Sequence, residues 1–294
     1  MSNQIDLKYI QSFQVLAQEL HFRKAAEKLF ISQPGLSKQI QHLEAQLGVT
    51  LLERDRRNVR LTPSGAYLKA QANFLSGFLE QTFSQIKIIE AGLEGEIRIG
   101  FVGSAMQKVI PDLIKKCTAS FPNINFVFDE MSNKAQLTAL QNNQIDLGFV
   151  RLKEVPKPIF IRPIHEEQFA LVVPKYHSIK PSSFKNIRQL DQEPFILFSS
   201  DYSSTYYNNI MSIFSDAGFE PKVSHKSIHA NTIFRLVENG LGVAIVPFSL
   251  TLDVEKAMAI QVIKLNKIRQ RAILSIAWRK EQHFPALEKV MQFL

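Results

Sequence analysis

The sequence has little that would support a metal site, a disulfide or a membrane span. Its 294 residues include one cysteine, Cys117, which excludes an internal disulfide and any site built from several cysteines. No apolar stretch reaches the ~18 residues of a membrane span, and no cationic segment followed by an apolar run opens the chain. We therefore expect a cytoplasmic protein with no membrane partner, no metal and no cofactor.

The sequence also lacks the motifs that mark common α/β enzymes. It has no G-x-S-x-G nucleophile motif, no phosphate-binding glycine loop and no H-E-x-x-H zinc helix. His165 stands beside Glu166 and Glu167, and His225 lies near His229, but these histidines are isolated and have the character of surface or core residues. We therefore predict no catalytic residues.

Length and composition predict about two folded domains with substantial cores, since 45% of the residues are hydrophobic. The net charge of +8 is spread along the chain. Residues 1–62 hold nine Lys or Arg against six Asp or Glu, and residues 96–294 hold twenty-four against eighteen. The net charge alone therefore does not show whether the chain binds DNA, binds an anionic ligand or has an ordinary cationic surface.

Residues 22–48 have the pattern of two short helices joined by a tight turn. In the first helix, small Ala25 and Ala26 allow a second helix to cross closely. Ser32 stands where an N-cap is expected, Pro34 suits a first turn, and Gly48 supplies a stop. Between cap and stop, apolar residues recur at helical spacing: Leu36, Ile40, Leu43 and Leu47. This pattern predicts a helix-turn-helix.

The polar face of the second helix carries amides, hydroxyls and a cation, which hydrogen-bond base edges and phosphates. Residues 51–62 follow as an apolar pair, a cationic turn and a return strand, which indicates a wing whose arginines reach phosphates or a narrow minor groove. The alternative is an ordinary helical hairpin followed by a solvated charge run. The DNA-binding residues that we predict are Ser32, Gln33, Pro34, Ser37, Lys38, Gln39, Arg54 and Arg57.

A heptad seam follows the wing, after Thr62 and Pro63 open a helix. Apolar or small residues recur at alternating steps of four and three: Leu68, Ala72, Leu75, Leu79, Thr82, Ile86, Ile89 and Leu93. Such a period is typical of helices that pack along each other. We predict that residues 63–94 form a homo-oligomer, in which a two-fold axis places two recognition helices on an inverted-repeat site in double-stranded DNA. The alternative is that the seam packs on its own domain.

From residue 95 onward, strands alternate with helices. Strands at 96–102, 124–131 and 145–150 enclose helices at 109–121 and 134–142, a βαβαβ pattern that predicts a parallel sheet. Further strands are predicted at 169–174, 195–198, 241–247, 260–265 and 272–278. We predict an α/β fold with a winged helix-turn-helix at 1–62, a linker and dimerisation helix at 63–94, and an effector-binding domain at 95–294. Its subdomain I comprises 95–162 and 267–294, and subdomain II comprises 163–266.

Ligands of such sheets bind beyond the carboxyl ends of strands, against helix N-termini that favour anions. Ser104 follows the first strand of the domain, Asn133 opens a helix after the second, and Arg151 follows the third. Plain capping or a surface ion pair would place the same residue types there. A hydroxyl-rich loop at 199–206 precedes a helix of the other subdomain.

The N-terminal region is similar to the signature of LysR-type transcriptional regulators over about sixty residues without a gap. The matching segments are Ala25-Ala26, Ser32-Gln33-Pro34, Leu36-Ser37-Lys38-Gln39-Ile40, Leu43-Glu44, Leu47-Gly48, Leu51-Leu52-Glu53-Arg54 and Leu61-Thr62-Pro63-Ser64-Gly65. This resemblance implies a winged helix-turn-helix, a dimerising linker helix and an effector domain of the periplasmic-binding-protein type. The chain departs from the family at Lys38, where arginine is usual, and a lysine does not make a bidentate fork.

Within this family, residues 99–104, 130–136 and 213–216 resemble the branch that controls catabolism of aromatic compounds. The resemblance implies a pocket for aromatic acids or their ring-cleavage diacids at Ser104, Asn133, Ser204, Thr205 and Tyr206, to which we add Arg151. Asn133 departs from the threonine of close relatives.

The combined prediction is a sequence-specific, DNA-binding transcriptional regulator that responds to a small anionic effector, with RNA polymerase as a further partner. A ligand-independent architectural DNA-binding protein is the alternative, and an α/β enzyme is a more distant one. Thermal shifts on ligand screening separate the first two, because an architectural protein has no ligand that stabilises it.

Overall fold

A computed structural model describes residues 6–54, 59–90, 95–252, 254–280 and 284–294. The chain forms two compact units, Met1–Ser84 and Gln85–Leu294, which divide inside a long helix. None of the described helices is both long enough and apolar enough to cross a membrane.

The first unit is a three-helix cluster followed by a two-stranded hairpin and the long helix. Its elements are α1 (Leu7–Glu19), α2 (Phe22–Lys28), α3 (Gln33–Leu47), β1 (Leu52–Arg54), β2 (Val59–Leu61) and α4 (Pro63–Glu90). The small residues Ala25 and Ala26 are buried, as expected where α2 meets its neighbours, and Leu36, Ile40 and Leu43 fill the core from α3. The predicted helix-turn-helix is confirmed.

The segment that joins the hairpin to α4 is fixed by close backbone contacts. Thr62 Oγ1 donates to Thr50 O at 2.8 Å and accepts from Gly65 N at 3.0 Å, so this side chain caps α4. A Cβ atom at Gly65 would lie 2.0 Å from Leu51 O, which leaves room for glycine alone. The Thr-Pro-Ser-Gly sequence therefore locks the start of α4 against the wing.

The heptad seam of α4 divides into two parts. Leu68 packs against the core of the first unit and Ala72 is buried. Ile86 and Ile89, near the other end, are 59% and 65% exposed in the single chain. Leu93 lies outside the described residues. The part of the seam at Leu68 and Ala72 therefore packs within its own domain, as the alternative interpretation held. The part at Ile86 and Ile89 is exposed.

The second unit contains two α/β subdomains. Its first half contributes β3 (Gly95–Phe101), α5 (Val109–Ser120), β4 (Ile124–Glu130), α6 (Asn133–Gln141), β5 (Leu147–Val150) and β6 (Ile159–Glu167). The remaining elements are β7 (Phe169–Pro174), β8 (Pro194–Phe198), α7 (Ser204–Ala217), β9 (Lys222–Ser227), α8 (Ala230–Glu238), β10 (Ala244–Pro247), α9 (Val254–Ala257), β11 (Ile260–Lys264), β12 (Ala272–Arg279) and α10 (Pro285–Met291). Short 3-10 turns lie at Gly103–Gln107, Ile187–Leu190 and Phe248–Thr251.

Subdomain I is a mixed five-stranded sheet in the order β4-β3-β5-β12-β6. The predicted βαβαβ unit supplies its three parallel strands, while β12 runs antiparallel to both β5 and β6. Subdomain II holds a three-stranded sheet in the order β10-β7-β11 and a parallel pair, β8-β9. The sequence interpretation did not predict β6 and β9, because their polar residues give them the pattern of a loop. It also placed the start of β10 three residues too early.

The chain crosses between the subdomains at other residues than predicted. Strand β6 continues past residue 163 to Glu167, which pairs with Ala272 of β12. Pro163, which has no N–H to donate, is accommodated beside a register shift between Leu274 and Ser275 of β12. The crossings therefore follow Glu167 and precede Ala272, instead of lying at 163 and 267.

Candidate functional site

The N-terminal end of α3 presents most of the predicted DNA-binding residues to solvent. Ser32 Oγ accepts a hydrogen bond from Gly35 N at 3.2 Å and so caps the helix. Gln33, Pro34 and Lys38 are exposed, and Ser37 is partly buried. These residues form one polar surface at a helix end, which is the arrangement that enters a major groove.

Gln39 is less free than its neighbours on α3. Its Oε1 accepts from Ser12 Oγ of α1 at 2.6 Å, and both side chains are largely shielded. The amide therefore ties α3 to α1, which leaves only its Nε2 group for a base or phosphate.

The wing is a short antiparallel hairpin in which Leu52 pairs with Leu61 and Arg54 with Val59. Its position is set by Glu44 of α3, whose Oε1 accepts from Leu51 N at 2.9 Å and Leu52 N at 3.2 Å. Arg54 ends the first strand of the hairpin, whereas Arg57 lies outside the described residues.

Phe30, in the turn between α2 and α3, has a backbone conformation that the sequence interpretation did not predict. It has a φ of 55°, in the left-handed region, and its side chain is 96% exposed. An aromatic residue is strained in that conformation. The sequence gives no signal for the strain, since the adjacent Ile31 and Ser32 mark only the start of the next helix.

The second unit contains a cavity of about 330 Å³ between its two subdomains, which we call the cleft cavity. Its lining is mostly apolar, with a few polar groups that converge from both sides. The lining residues are Phe101, Val102, Gly103, Ser104, Met106, Gln107, Glu130 and Arg151 from subdomain I, and Phe198, Tyr202, Ser203, Tyr206, Ile228, His229, Ala230, Asn231, Pro247 and Leu250 from subdomain II. Such a mixture is typical of a small-molecule site.

Arg151 is the central polar residue of the cleft cavity, and its side chain is 7% exposed. Its Nε donates to Ser104 Oγ at 2.9 Å, and its Nη2 donates to Glu167 Oε1 at 2.8 Å. Glu167 in turn accepts from Ser249 N and Oγ, at 2.6 and 2.9 Å. The remaining nitrogen, Nη1, is buried without an acceptor among the described residues.

Two hydrogen bonds join the two subdomains at the cleft cavity, one made by Asn133 and one made by Gly103. Asn133, which is 3% exposed, donates from Nδ2 to Ser203 Oγ at 2.7 Å. Its Oδ1 accepts from Arg151 N at 3.0 Å. Nearby, Gly103 N donates to the Tyr202 hydroxyl at 3.4 Å. We call the Asn133–Ser203 hydrogen bond the clasp.

The two tyrosines of the cavity have raised pKa values because burial removes their hydroxyls from water. For Tyr202 the nearby Glu130 carboxylate raises the pKa further, while a hydrogen bond from Gly103 opposes the shift. For Tyr206 burial raises the pKa of the hydroxyl, which donates to Ile245 O at 3.3 Å. Both tyrosines therefore act as neutral hydrogen-bonding groups.

The structure brings part of the predicted effector set together. Ser104, Arg151 and Tyr206 line the cleft cavity, and Asn133 lies directly behind it. Ser204 and Thr205 do not line it. The reason is local: α7 is capped by Ser203, whose Oγ accepts from Tyr206 N, so the hydroxyl that faces the cleft is one residue earlier than predicted.

Several polar contributors to the site were not assigned from the sequence, among them Ser203, Glu130 and Glu167. Ser203 had a usable signal, because a serine directly before a helix is a typical N-cap. Glu130 stands at the end of β4, and Glu167 sixteen residues after Arg151. Nothing in the spacing of these two carboxylates indicates that the fold places them at the cleft.

Comparison with known proteins assigns both parts of the chain. The family profile described as "LysR substrate binding domain" matches residues 90–294, and the profile "Bacterial regulatory helix-turn-helix protein, lysR family" matches residues 7–66. The chain is 36% identical over 247 residues to the HTH-type transcriptional regulator BenM of Acinetobacter baylyi, which covers 83% of this chain and 81% of BenM. It is 30% identical over 288 residues to the regulator AlsR of Bacillus subtilis, which covers 97% of this chain and 93% of AlsR.

Solved structures agree with these matches. The effector-binding domain of BenM, solved with its effector benzoate, superposes with a TM-score of 0.59 at 27% identity, over 68% of this chain and 90% of that domain. Because the relatives are named as transcriptional regulators, the expectation of a DNA-binding regulator instead of an enzyme is confirmed. The sequence and the structure together show that this chain belongs to the LysR family of bacterial regulatory helix-turn-helix proteins.

Proposed function

We propose that this regulator binds a small organic acid, aromatic or otherwise apolar, in the cleft cavity and that its binding to DNA changes in response. The observation that carries the proposal is Arg151, a buried cation whose Nη1 has no acceptor among the described residues. A ligand carboxylate at this wall would provide one, after a small rotation of the guanidinium, and would receive a second hydrogen bond from Ser104 or Ser203. The BenM domain with benzoate supports the proposal by similarity.

The charges of the cleft favour one carboxylate over two. Arg151 is already paired with Glu167, and Glu130 adds a second carboxylate to the lining. A diacid would bring a further negative charge close to Glu130, at an electrostatic cost. Of the aromatic acid and the diacid that the sequence left open, we therefore favour the monoacid.

The mechanism that we propose is a population shift. The ligand contacts both subdomains, so it favours the closed arrangement by its differential affinity for closed and open states. Paired effector domains would then change the spacing or bend between the DNA half-sites. Homodimers through residues 63–94 fit this scheme, because Ile86 and Ile89 are exposed apolar residues on the predicted seam. RNA polymerase is proposed as the partner that senses the change.

The test is a footprint of the full-length protein on its own upstream DNA, with and without benzoate and a short diacid. We expect benzoate to shift the footprint and to raise the unfolding temperature of the wild type. Ser104→Ala should weaken that response, whereas Lys222→Ala, a change at an exposed residue that does not line the cleft cavity, should not. Salt-sensitive binding without sequence preference or ligand response would instead support an architectural protein.

A second test addresses the DNA surface. We expect Gln33→Ala to relax base preference at one position, since a glutamine amide reads base edges. Arg57→Ala should weaken all sequences alike and flatten the salt dependence, because a phosphate contact carries no sequence information. Equal losses on every sequence for both variants would contradict this division of roles.

A further inference from the structure

A second cavity of about 380 Å³ lies on the flank of the effector domain, and we call it the flank cavity. Three separate segments form it: the residues after β5, one side of α7 and the start of β12. It shares Arg151 and Tyr206 with the cleft cavity, so these two side chains form a wall between the cavities. The other residues that line the flank cavity do not line the cleft cavity.

The charged residues that line the flank cavity are all cationic: Arg151, Lys153 and Arg271. Lys153 is exposed and has no ion-pair or hydrogen-bond partner within the described ranges. Arg271 is held in place by hydrogen bonds from Nη1 to Ile268 O at 2.7 Å and Gln270 O at 2.9 Å. Its Nε lies 3.9 Å from the exposed carboxylate of Glu166, a pair that water weakens. The cavity therefore has a surplus of positive charge.

The neutral residues of the flank cavity add hydrogen-bond donors from α7. Thr205, Asn208, Asn209 and Ser212 lie along the side of the helix that faces it. Asn209 Nδ2 donates to Arg271 O at 2.8 Å and Ser212 Oγ to Asn209 O at 2.8 Å, so these two side chains are engaged. The Thr205 hydroxyl, in the first turn of α7, has no partner among the described residues. Because Thr205 lies in the first turn of α7, the positive end of the helix dipole also favours an anion beside this hydroxyl.

We propose that the flank cavity is a binding site for a phosphoryl group, held by Lys153, Arg271 and Thr205. A guanidinium fixed by backbone carbonyls, a free ammonium group and a hydroxyl supply charge-assisted and neutral hydrogen bonds to several oxygens at once. Phosphate has more acceptor oxygens than a carboxylate, which suits donors that converge from three segments. The site is separate from the cleft and does not depend on which ligand the cleft binds. It also gives Thr205 a role that the cleft does not.

The experiment is a calorimetric titration of the full-length protein with inorganic phosphate, at an ionic strength held constant with sodium chloride. We expect saturable binding of one phosphate per chain. Lys153→Ala and Thr205→Val should each weaken it by about fivefold or more, since each removes one contact to the anion. The controls are Lys222→Ala, which removes an exposed lysine elsewhere in the domain, and Ser104→Ala, which alters the cleft. Both controls should bind phosphate as the wild type does.

A spectroscopic measurement locates the site independently. The methyl groups of Ile273, which line the flank cavity, should change their NMR shift on phosphate addition in the wild type but not in Lys153→Ala. A phosphate monoester such as glycerol phosphate distinguishes two sources: tighter binding than inorganic phosphate indicates a phosphorylated metabolite, and weaker binding indicates the free ion. Absence of saturable binding would overturn the proposal. So would equal weakening by Lys222→Ala, or a loss caused by Ser104→Ala alone.

Discussion

Replacing Asn133 by alanine should loosen the effector domain by a predictable amount. The change removes the clasp to Ser203 at 2.7 Å and the bond from Arg151 N at 3.0 Å. Each hydrogen bond contributes about 1 kcal/mol net, and a buried amide left without an acceptor costs about 1–3 kcal/mol. Ser203 keeps its capping bond to Tyr206 N, so its hydroxyl is not orphaned. We therefore expect the free energy of unfolding to fall by about 2–4 kcal/mol.

The assay uses the chain's single tryptophan, Trp278, which lies on β12. Its fluorescence during urea denaturation reports on the effector domain within the full-length protein. Hydrogen exchange adds a local measurement, because the Arg151 amide should exchange faster once Asn133 Oδ1 is gone. Asn208→Ala, at an exposed position of α7, is the matched control and should change stability by less than about 0.5 kcal/mol. A loss below that value for Asn133→Ala, or an unchanged Arg151 amide, would refute the reasoning.

Three further predictions concern single residues. Ser32→Ala should destabilise the first unit by about 1 kcal/mol in thermal melts, because it removes the N-cap of α3; Ser64→Ala is the control, since Ser64 is exposed and α4 is capped by Thr62. Phe30→Asn should raise the melting temperature of that unit, since asparagine tolerates the left-handed conformation that Phe30 adopts, and a lowered melting temperature would contradict the strain. Burial raises the pKa of the Cys117 thiol, so the native protein should resist alkylation at pH 8 while the urea-unfolded protein reacts. The thiol ionises at a lower pH in the unfolded chain than in the folded protein. The stability that the buried thiol contributes should therefore be complete below its unfolded pKa and should decline as the pH rises above that value.

The winged helix-turn-helix was predictable because its determinants are local. The Ser32 cap, the Gly48 stop and the spacing from Leu36 to Leu43 act within a few residues of chain, and the structure has α3 where they place it. The βαβαβ unit was predictable for the same reason, since buried parallel strands alternate with amphipathic helices. The missed strand β6 has mostly exposed and partly buried residues, so its sequence carries little apolar pattern.

The residues at the cleft were only partly predictable. Ser104 and Arg151 were found because both follow strands, where ligands of α/β sheets bind. The hydroxyl on the opposite subdomain was misplaced by one residue, because the sequence of the loop contains several serines that all suit an N-cap. Which serine caps the helix is decided by the path that the loop takes between β8 and α7, and the structure selects Ser203.

The sequence by itself determined the family, the order of the elements and the recognition helix, since periodicity and capping act over a few residues. Only the tertiary structure decided that Arg151 pairs with Glu167, that Asn133 holds Ser203 across the cleft, and that Thr205 turns to a different cavity. The first two contacts join residues that are 16 and 70 positions apart in the chain. Their geometry follows from how strands cross between subdomains, and the register of those strands is set by packing over the whole domain.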